Sequence, residues 1–145
     1  MNLRVSAFLD RMASLLSEGH LEAFAQLHRY PAVYEAQGTM RIYLRPEDLI
    51  RTVGEWRRNQ WARGVRTITA RVAAQDLGRS GRIRVWAEWT HHLADGTTTD
   101  GGTDLLYLSR CPGGCLAIEM IDFLSQSAPA ETPEQPDAEA LPAAG

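Results

Sequence analysis

The feature that most constrains the fold is a change in hydrophobic period near Arg66. Before it, apolar residues recur every three to four positions, which predicts helices; after it, apolar and polar residues alternate, which predicts strands. Turn signals divide this second half into four strands, over about 66–75, 82–93, 100–110 and 115–124. Helices followed by a run of hairpin-connected strands indicate an α+β domain.

The first half contains three predicted helices and a short hairpin. Apolar residues at helical spacing over 5–16 and 21–27 predict two helices, and Pro31 is expected to end the second. A hairpin is predicted within 32–44, and Pro46 then opens a third helix. The helices therefore precede all the long strands, as expected for an α+β architecture.

Composition limits the classes of protein to which the chain can belong. Its 145 residues suffice for one domain, and no apolar run approaches the ~18 residues of a membrane span. The first residues lack the pattern of a signal peptide, so we expect a cytoplasmic location. All 15 basic residues are arginine, which excludes Schiff-base lysines and the phosphate-binding lysine of a P-loop.

The sequence divides into a domain over residues 1–125 and a tail over 126–145. The tail is rich in alanine, proline and acidic residues, and we expect it to be disordered. The tail holds four of the acidic residues behind the net charge of −3, so the domain is nearly neutral and a nucleic-acid partner is not expected. Four arginines nevertheless crowd one region: Arg57, Arg58, Arg63 and Arg66. We interpret that group as the solvated end of a helix.

The turns also predict which residues face each other across the sheet. The loop at 95–96 pairs Leu106 with Val85, and the loop at 112–114 pairs Leu106 with Met120. The face that contains these residues is almost wholly apolar, so we expect it to look toward the helices. The other face carries four large apolar groups, which predicts a sheet-to-sheet homodimer, with a crossing C-terminal segment as the alternative. These groups are Trp86, Leu105, Ile121 and Phe123.

The order of these elements resembles the nuclear-transport-factor-2-like superfamily over about residues 5–123. Local similarities are EGHLE at 18–22, LRPEDL at 44–49 and IEMID at 118–122. The resemblance implies a cone in which three N-terminal helices pack in the concave face of a strongly bent, mainly antiparallel sheet around one pocket. It also implies frequent homodimers. Members include polyketide cyclases, isomerases, dehydratases and non-catalytic binding proteins, and a fold does not choose among them.

Asp104 and Asp122 are the predicted catalytic residues. The predicted register places them opposite each other on the apolar face, where cross-strand Cβ atoms lie ~5 Å apart. Desolvation and mutual repulsion there would leave one acid and one base, which suits proton transfer. The last strand is also similar to that of SnoaL-like polyketide cyclases, which implies a proton-moving aspartate at Asp122. The alternative to a catalytic pair is that both aspartates lie at a fraying end of the sheet, where water hydrates their carboxylates.

Further residues are predicted to bind a ligand around that pair. The tyrosine and glutamate of the first short strand, two tryptophans and inner-face residues of the meander surround the expected pocket. They are Tyr34, Glu35, Trp56, Trp89, His91, Leu106 and Met120. A bulge is expected at Gly101-Gly102, and His28 is interpreted as a helix-surface residue. We expect no metal and no cofactor, because metal-ligand spacings and dinucleotide fingerprints do not occur.

The two cysteines flank the last predicted turn. Cys111 and Cys115 would face each other across a hairpin, so a disulfide is geometrically conceivable. In a reducing compartment we favour the reduced hairpin.

The sequence thus predicts a pocket for a small, mostly apolar metabolite. In the first hypothesis, Asp104 and Asp122 act as acid and base in a cofactor-independent isomerase, dehydratase or cyclase-type reaction. In the second, the protein is a non-catalytic binding or accessory subunit that uses the same cavity or the outer sheet face.

Overall fold

The computed structural model describes residues 3–77 and 81–125, which form three helices and six strands. The helices are α1 (Leu3–Glu18), α2 (Leu21–Ala25) and α3 (Pro46–Ala62). The strands are β1 (His28–Ala36), β2 (Thr39–Tyr43), β3 (Val65–Leu77), β4 (Arg82–Leu93), β5 (Thr98–Arg110) and β6 (Leu116–Phe123). The tail that the sequence predicts to be disordered, 126–145, lies outside the described residues.

All six strands form one sheet in the order β2-β1-β6-β5-β4-β3. Neighbouring strands are antiparallel except β1 and β6, which run parallel and join the small hairpin to the long meander. The sheet is curved and unclosed, and the helices cover one face. The predicted α+β class and mainly antiparallel sheet are therefore confirmed.

The hydrophobic core lies between the helices and the inner face of the sheet. Val5, Leu9 and Met12 of α1 are at most 1% exposed, and they belong to one core cluster with buried residues of the strands. Val85 pairs with Leu106 as predicted, and neither has any exposed surface. β4 and β5 therefore direct their apolar residues toward the helices, as the sequence predicts.

Strand β1 begins earlier than the sequence indicates. The second helix ends at Ala25 instead of continuing to Pro31, and β1 passes through a cis Tyr30-Pro31 bond. A residue before proline disfavours the helical region, so an extended chain is the natural conformation here. As a consequence His28 is a buried strand residue, and its interpretation as a helix-surface residue is wrong.

A β-bulge in β6 changes the predicted register of the last strand. Leu108 pairs with Ile118, but Tyr107 pairs with Met120, so Glu119 is an extra residue on β6. A single extra residue reverses the face of every later side chain. The predicted pairing of Leu106 with Met120 is therefore wrong.

The turn between β5 and β6 is closed by a disulfide. Cys111 and Cys115 are bonded, with Cα atoms 5.1 Å apart, so the predicted reduced hairpin is wrong. Within residues 3–77 and 81–125, no helix combines the length and apolar character needed to cross a membrane.

Candidate functional site

A cavity of about 40 Å³ lies between the helices and the inner face of the sheet. Its wall is mostly apolar, with a few polar side chains from β1, β4 and β5, which is the usual character of a small-molecule site. The described residues that line it are Met12, Leu16, Phe24, Tyr34, Val53, Trp56, Ile68, Trp89, His91, Asp104, Ile121 and Phe123.

Asp104 is the sole carboxylate among the described residues that line the cavity. It lies on β5 between Ala87 and Phe123 of the neighbouring strands, and it is 4% exposed. Burial raises the pKa of the Tyr34 hydroxyl, Tyr43 and Tyr30 raise it further, and the charge of Asp104 makes the smallest contribution in the same direction. Asp104 and Tyr34 therefore act on each other electrostatically inside the cavity.

Tyr34 is held by a hydrogen bond to a buried histidine. Oη of Tyr34 lies 2.7 Å from Nε2 of His28, and Nδ1 of His28 lies 3.2 Å from the carbonyl oxygen of Phe24. A carbonyl can only accept, so Nδ1 carries the proton and Nε2 of the neutral ring accepts from the Tyr34 hydroxyl. Both side chains are less than 7% exposed, so the pair is fixed in the interior.

Burial keeps His28 neutral. Desolvation lowers its pKa from 6.5 to about 4, against the opposing effect of hydrogen bonds to the carbonyls of Phe24 and Ala25. The hydroxyl pKa of Tyr34 is raised well above its usual value, because burial disfavours the phenolate. At neutral pH the pair is therefore an uncharged phenol and an uncharged imidazole.

Trp89, which also lines the cavity, has an unused hydrogen-bond donor. The residue is 6% exposed, and Nε1 has no hydrogen-bond partner among the residues that the structure describes. A buried indole N–H usually finds an acceptor, since leaving it unpaired costs about 1–3 kcal/mol. An acceptor atom of a bound molecule would remove that cost.

His91 and Trp56 complete the polar part of the wall. Their rings meet edge to face at 6.4 Å, and burial lowers the pKa of His91 more than the Asp100 carboxylate raises it. The His91 ring is packed tightly against Gly101, where an added Cβ would come within 2.6 Å of it. The bulge predicted at this glycine is confirmed, and it shifts the pairing so that His91 faces Thr99 instead of Asp100.

The cavity contains five of the predicted site residues: Tyr34, Trp56, Trp89, His91 and Asp104. Leu106 is wholly buried on the inner face but is not among the lining residues.

Three predicted site residues lie on the other face of the sheet. Asp122 pairs with Leu105 across β5 and with Glu35 across β1, and Met120 pairs with Tyr107. The bulge at Glu119 causes this reversal for Asp122 and Met120, whereas Glu35 directly follows the inward-facing Tyr34 in β1 and so points to the opposite face. The predicted carboxylate pair of Asp104 and Asp122 is therefore wrong, and so is the placement of Glu35 and Met120 at the pocket.

The same reversal divides the predicted outer apolar group. Trp86 pairs with Leu105 on the outer face, as expected. Ile121 and Phe123 instead line the cavity, 3% and 6% exposed, so their assignment to the outer face is wrong.

Among the polar side chains at the site, the sequence interpretation missed His28, which holds the hydroxyl of Tyr34. A signal existed. Tyr34 follows His28 by six positions, and an even offset places both residues on one face of a strand. To use that signal, the predicted first strand, which begins after Pro31, would have had to begin before it, at His28.

Comparison with known proteins identifies the fold. No protein-family model matches the sequence, and no curated protein matches it significantly. Aln2 from a Streptomyces species superposes with a TM-score of 0.63 at 18% identity, over 83% of this chain and 89% of that one. An ntf2-like protein with a cystatin-like fold from Novosphingobium aromaticivorans superposes with a TM-score of 0.59 at 16% identity, over 88% of this chain and 84% of that one.

A third structure carries a small ligand. A protein from Catenulispora acidiphila in complex with S-DNPA gives a TM-score of 0.63 at 17% identity, over 83% of this chain and 91% of that one. Together these matches show that the chain has an α+β cone fold. Its fold is that of the nuclear-transport-factor-2-like superfamily, as the sequence resemblance implies.

Proposed function

We propose that the cavity binds a small, mostly apolar metabolite and that Asp104 transfers a proton on it, in an isomerase, dehydratase or cyclase-type reaction that needs no cofactor. The observation that carries this proposal is the combination of a buried carboxylate and an unpartnered indole N–H in one apolar cavity. A base and a fixed hydrogen-bond donor are the two groups that removal of a proton next to a carbonyl requires.

The register supports a division of roles between Asp104 and Trp89. Asp104 pairs with Ala87, so Trp89 is its diagonal neighbour on the inner face, at a Cβ separation of roughly 7 Å. That spacing leaves room for a substrate carbon beside the carboxylate and its carbonyl oxygen beside the indole. Asp104 takes the proton from the carbon, the C–H electron pair moves into the enolate, and Nε1–H of Trp89 donates to the oxygen. The carboxylic acid then returns the proton to the same or a conjugated carbon.

Exchange of α-protons in D2O tests this proposal without knowledge of the natural substrate. Butanone is a suitable probe, because it is small and mostly apolar and carries exchangeable protons beside a ketone. We expect the wild-type protein to accelerate exchange, and Asp104→Asn to reduce the rate about 100-fold or more. Asp122→Asn is the matched control, since that carboxylate lies on the outer face, and it should keep the rate within about threefold.

Non-catalytic binding is the second candidate function. The apolar majority of the cavity wall supports it, because such a wall suffices to hold a ligand. If butanone binds the wild type with no faster exchange, or if Asp104→Asn exchanges as fast as the wild type, the catalytic proposal is wrong and binding alone stands.

We also propose that a second copy of the chain covers the outer sheet face. Trp86 and Leu105 lie there, and β2, the edge strand separated from them by β1 and β6, exposes 39% of Met40 and 53% of Ile42. An apolar surface of this kind is typical of a symmetric protein interface. A cytoplasmic location stays a prediction.

A further inference from the structure

The end of α3 and the start of β3 carry a group of arginines around an exposed tryptophan. Trp61 is 49% exposed, and the guanidinium carbons of Arg66 and Arg57 lie 3.9 Å and 5.7 Å from the centre of its ring. Arg58 lies one helical turn before Trp61 and Arg63 caps the end of α3, and both are exposed. We call these four arginines and Trp61 the basic surface.

The charge of the basic surface is unbalanced. Among residues 3–77 and 81–125, no carboxylate lies within ion-pair distance of its four arginines. Glu55 precedes the surface on α3, and Glu18 follows Ser17, whose carbonyl accepts from Arg57; Glu18 instead lies 3.3 Å from His20. Tryptophan and arginine are the residues most enriched where proteins bind each other, so this surface has the composition of an interface.

The complementary charge occurs in the same chain, within residues 126–145, which lie outside the described residues. This segment has no basic residue and four acidic ones: Glu131, Glu134, Asp137 and Glu139. The four negative charges equal the number of arginines on the basic surface. Opposite charges attract each other over about 10 Å in 0.1 M salt, and over a longer range when less salt is present.

The last described residues direct the chain toward the basic surface. The N–H of Leu124 donates to the carbonyl of Thr103 at 3.0 Å, and the N–H of Thr103 donates to Oγ of Ser125 at 2.8 Å. The chain therefore continues along β5, antiparallel to it, after β6 ends. This direction leads to the end of the sheet at which Leu93 of β4 pairs with Val65 of β3, and α3 ends just before Val65.

The length of the segment matches the distance to be crossed. Ser125 and Val65 are separated by about five residues along the strands and three strand spacings across them, or roughly 22 Å. The acidic residues follow Ser125 by 6 to 14 positions. A flexible chain of that many residues spans about 13–21 Å on average, and an extended proline-rich one spans about 19–43 Å.

We propose that the acidic segment 126–145 docks on the basic surface of its own chain. The expected lack of order in the segment does not oppose docking, because attraction between several opposite charges does not require one conformation. The inference is independent of the ligand of the inner cavity. It gives a partner to four arginines that the sequence indicates only as a solvated helix end.

Paramagnetic relaxation in the full chain tests this docking. A nitroxide is attached to Ala138→Cys, and the two native cysteines do not compete because they are joined in a disulfide. We expect the label to reduce the intensity of the Trp61 indole N–H signal by about half or more in low salt, and the signal to recover at about 0.5 M salt, where the Debye length is about 4 Å. Trp61→Phe assigns the signal.

Charge variants that carry the same label locate the effect. Replacement of the four acidic residues of the segment by their amides should restore the Trp61 signal without a change in the length of the chain. Arg58→Gln combined with Arg63→Gln should restore it in part, since Arg57 and Arg66 keep their charges. The matched control is Arg110→Gln, at an exposed position at the opposite end of β5, and it should leave the effect of the label unchanged.

Three results would overturn the proposal. The first is a Trp61 signal that the label does not weaken, or that it weakens equally when the four acids are neutralised. The second is broadening in a mixture of isotope-labelled chains without nitroxide and unlabelled chains with nitroxide, because it would assign the segment to the surface of a second copy. The third is a Trp61 signal that a DNA duplex shifts while the label has no effect, because the surface would then bind a nucleic acid.

Discussion

The hydroxyl of Tyr34 donates to Nε2 of His28 over 2.7 Å in the interior of the protein. The bond joins the first residue of β1 to the residue on that strand that lines the cavity. Because both partners are buried and neutral, the geometry of this wall depends on the protonation state of one imidazole. Stability and pH are therefore linked at this pair.

We predict that the free energy of unfolding decreases as the pH is lowered from 6.5 toward 4. The pKa of His28 is about 4 in the folded protein and 6.5 without burial, so the unfolded chain binds more protons in this range. Its contribution is complete above pH 6.5 and amounts to about 2 kcal/mol lost between pH 7.5 and 5. Urea denaturation at a series of pH values measures this slope.

His28→Gln separates this contribution from those of other groups. Glutamine does not titrate, so the difference in unfolding free energy between pH 7.5 and 5 should be smaller in the variant by about 2 kcal/mol. His91, whose pKa is also lowered by burial, continues to contribute in both proteins. Parallel pH profiles for the two proteins would contradict the prediction.

Removal of the Tyr34 hydroxyl should destabilise the protein. Tyr34→Phe leaves Nε2 of His28 buried without a donor, which costs about 1–3 kcal/mol. The matched control is Tyr30→Phe, because the Tyr30 hydroxyl donates to the carbonyl of Ala25 at a half-buried position that water can reach. Thermal and urea unfolding should show the larger loss for Tyr34→Phe, and an equal or reversed order would count against a buried pair.

Gly101→Ala and Gly54→Ala should change stability in opposite directions. An added Cβ at Gly101 would lie 2.6 Å from the His91 ring and 3.1 Å from Cβ of Trp89, so we expect a loss of about 1–3 kcal/mol and a displaced imidazole. At Gly54, inside α3, the nearest atom lies 3.4 Å away, and the gain in helix propensity is up to about 1 kcal/mol. Urea denaturation, with the chemical shifts of His91, checks both.

The two faces of the sheet should respond differently to truncation. Leu106 is completely buried on the inner face, so Leu106→Ala should cost about 2–5 kcal/mol. Met120 is half-buried on the outer face, and Met120→Ala should cost roughly 1 kcal/mol. Similar losses would mean that Met120 lies on the inner face, as the register predicted from the turns places it.

Self-association through the outer face is tested by sedimentation. We expect a dimer at micromolar concentration that Trp86→Arg dissociates, because a buried unpaired charge opposes association. Leu77→Arg, at a 67% exposed position at the far end of β3, should leave the dimer intact. A wild-type monomer at that concentration would end the dimer proposal.

The sequence alone was sufficient for the element order and for the register of β4 against β5 beyond the bulge at Gly101, whereas the turn at 78–79 misplaces β3, because Val85 pairs with Gln75. The change of period near Arg66 and the turn signals predict each of the four long strands to within two residues at either end. The predicted pairing of Val85 with Leu106 is correct, since these residues lie in a stretch where β4 and β5 pair regularly beyond the bulge at Gly101.

The site was predicted only in part, for a physical reason that concerns β6. A glutamate bulge has no sequence signal comparable to the Gly101-Gly102 pair, since Glu119 looks like any outward-facing strand residue. Asp104 lies in the regularly paired stretch of β5 and was placed correctly, whereas Asp122 follows the bulge in β6 and was not.

The bulge at Glu119 also affects how this chain should be compared with others of its fold. In a relative that lacks the extra residue, the residue aligned with Asp122 would point into the pocket. Alignment by sequence alone would then equate an interior acid with a surface one. Functional residues should therefore be transferred between such proteins by superposition of backbones, and an insertion or deletion within β6 should be more damaging than any single replacement there.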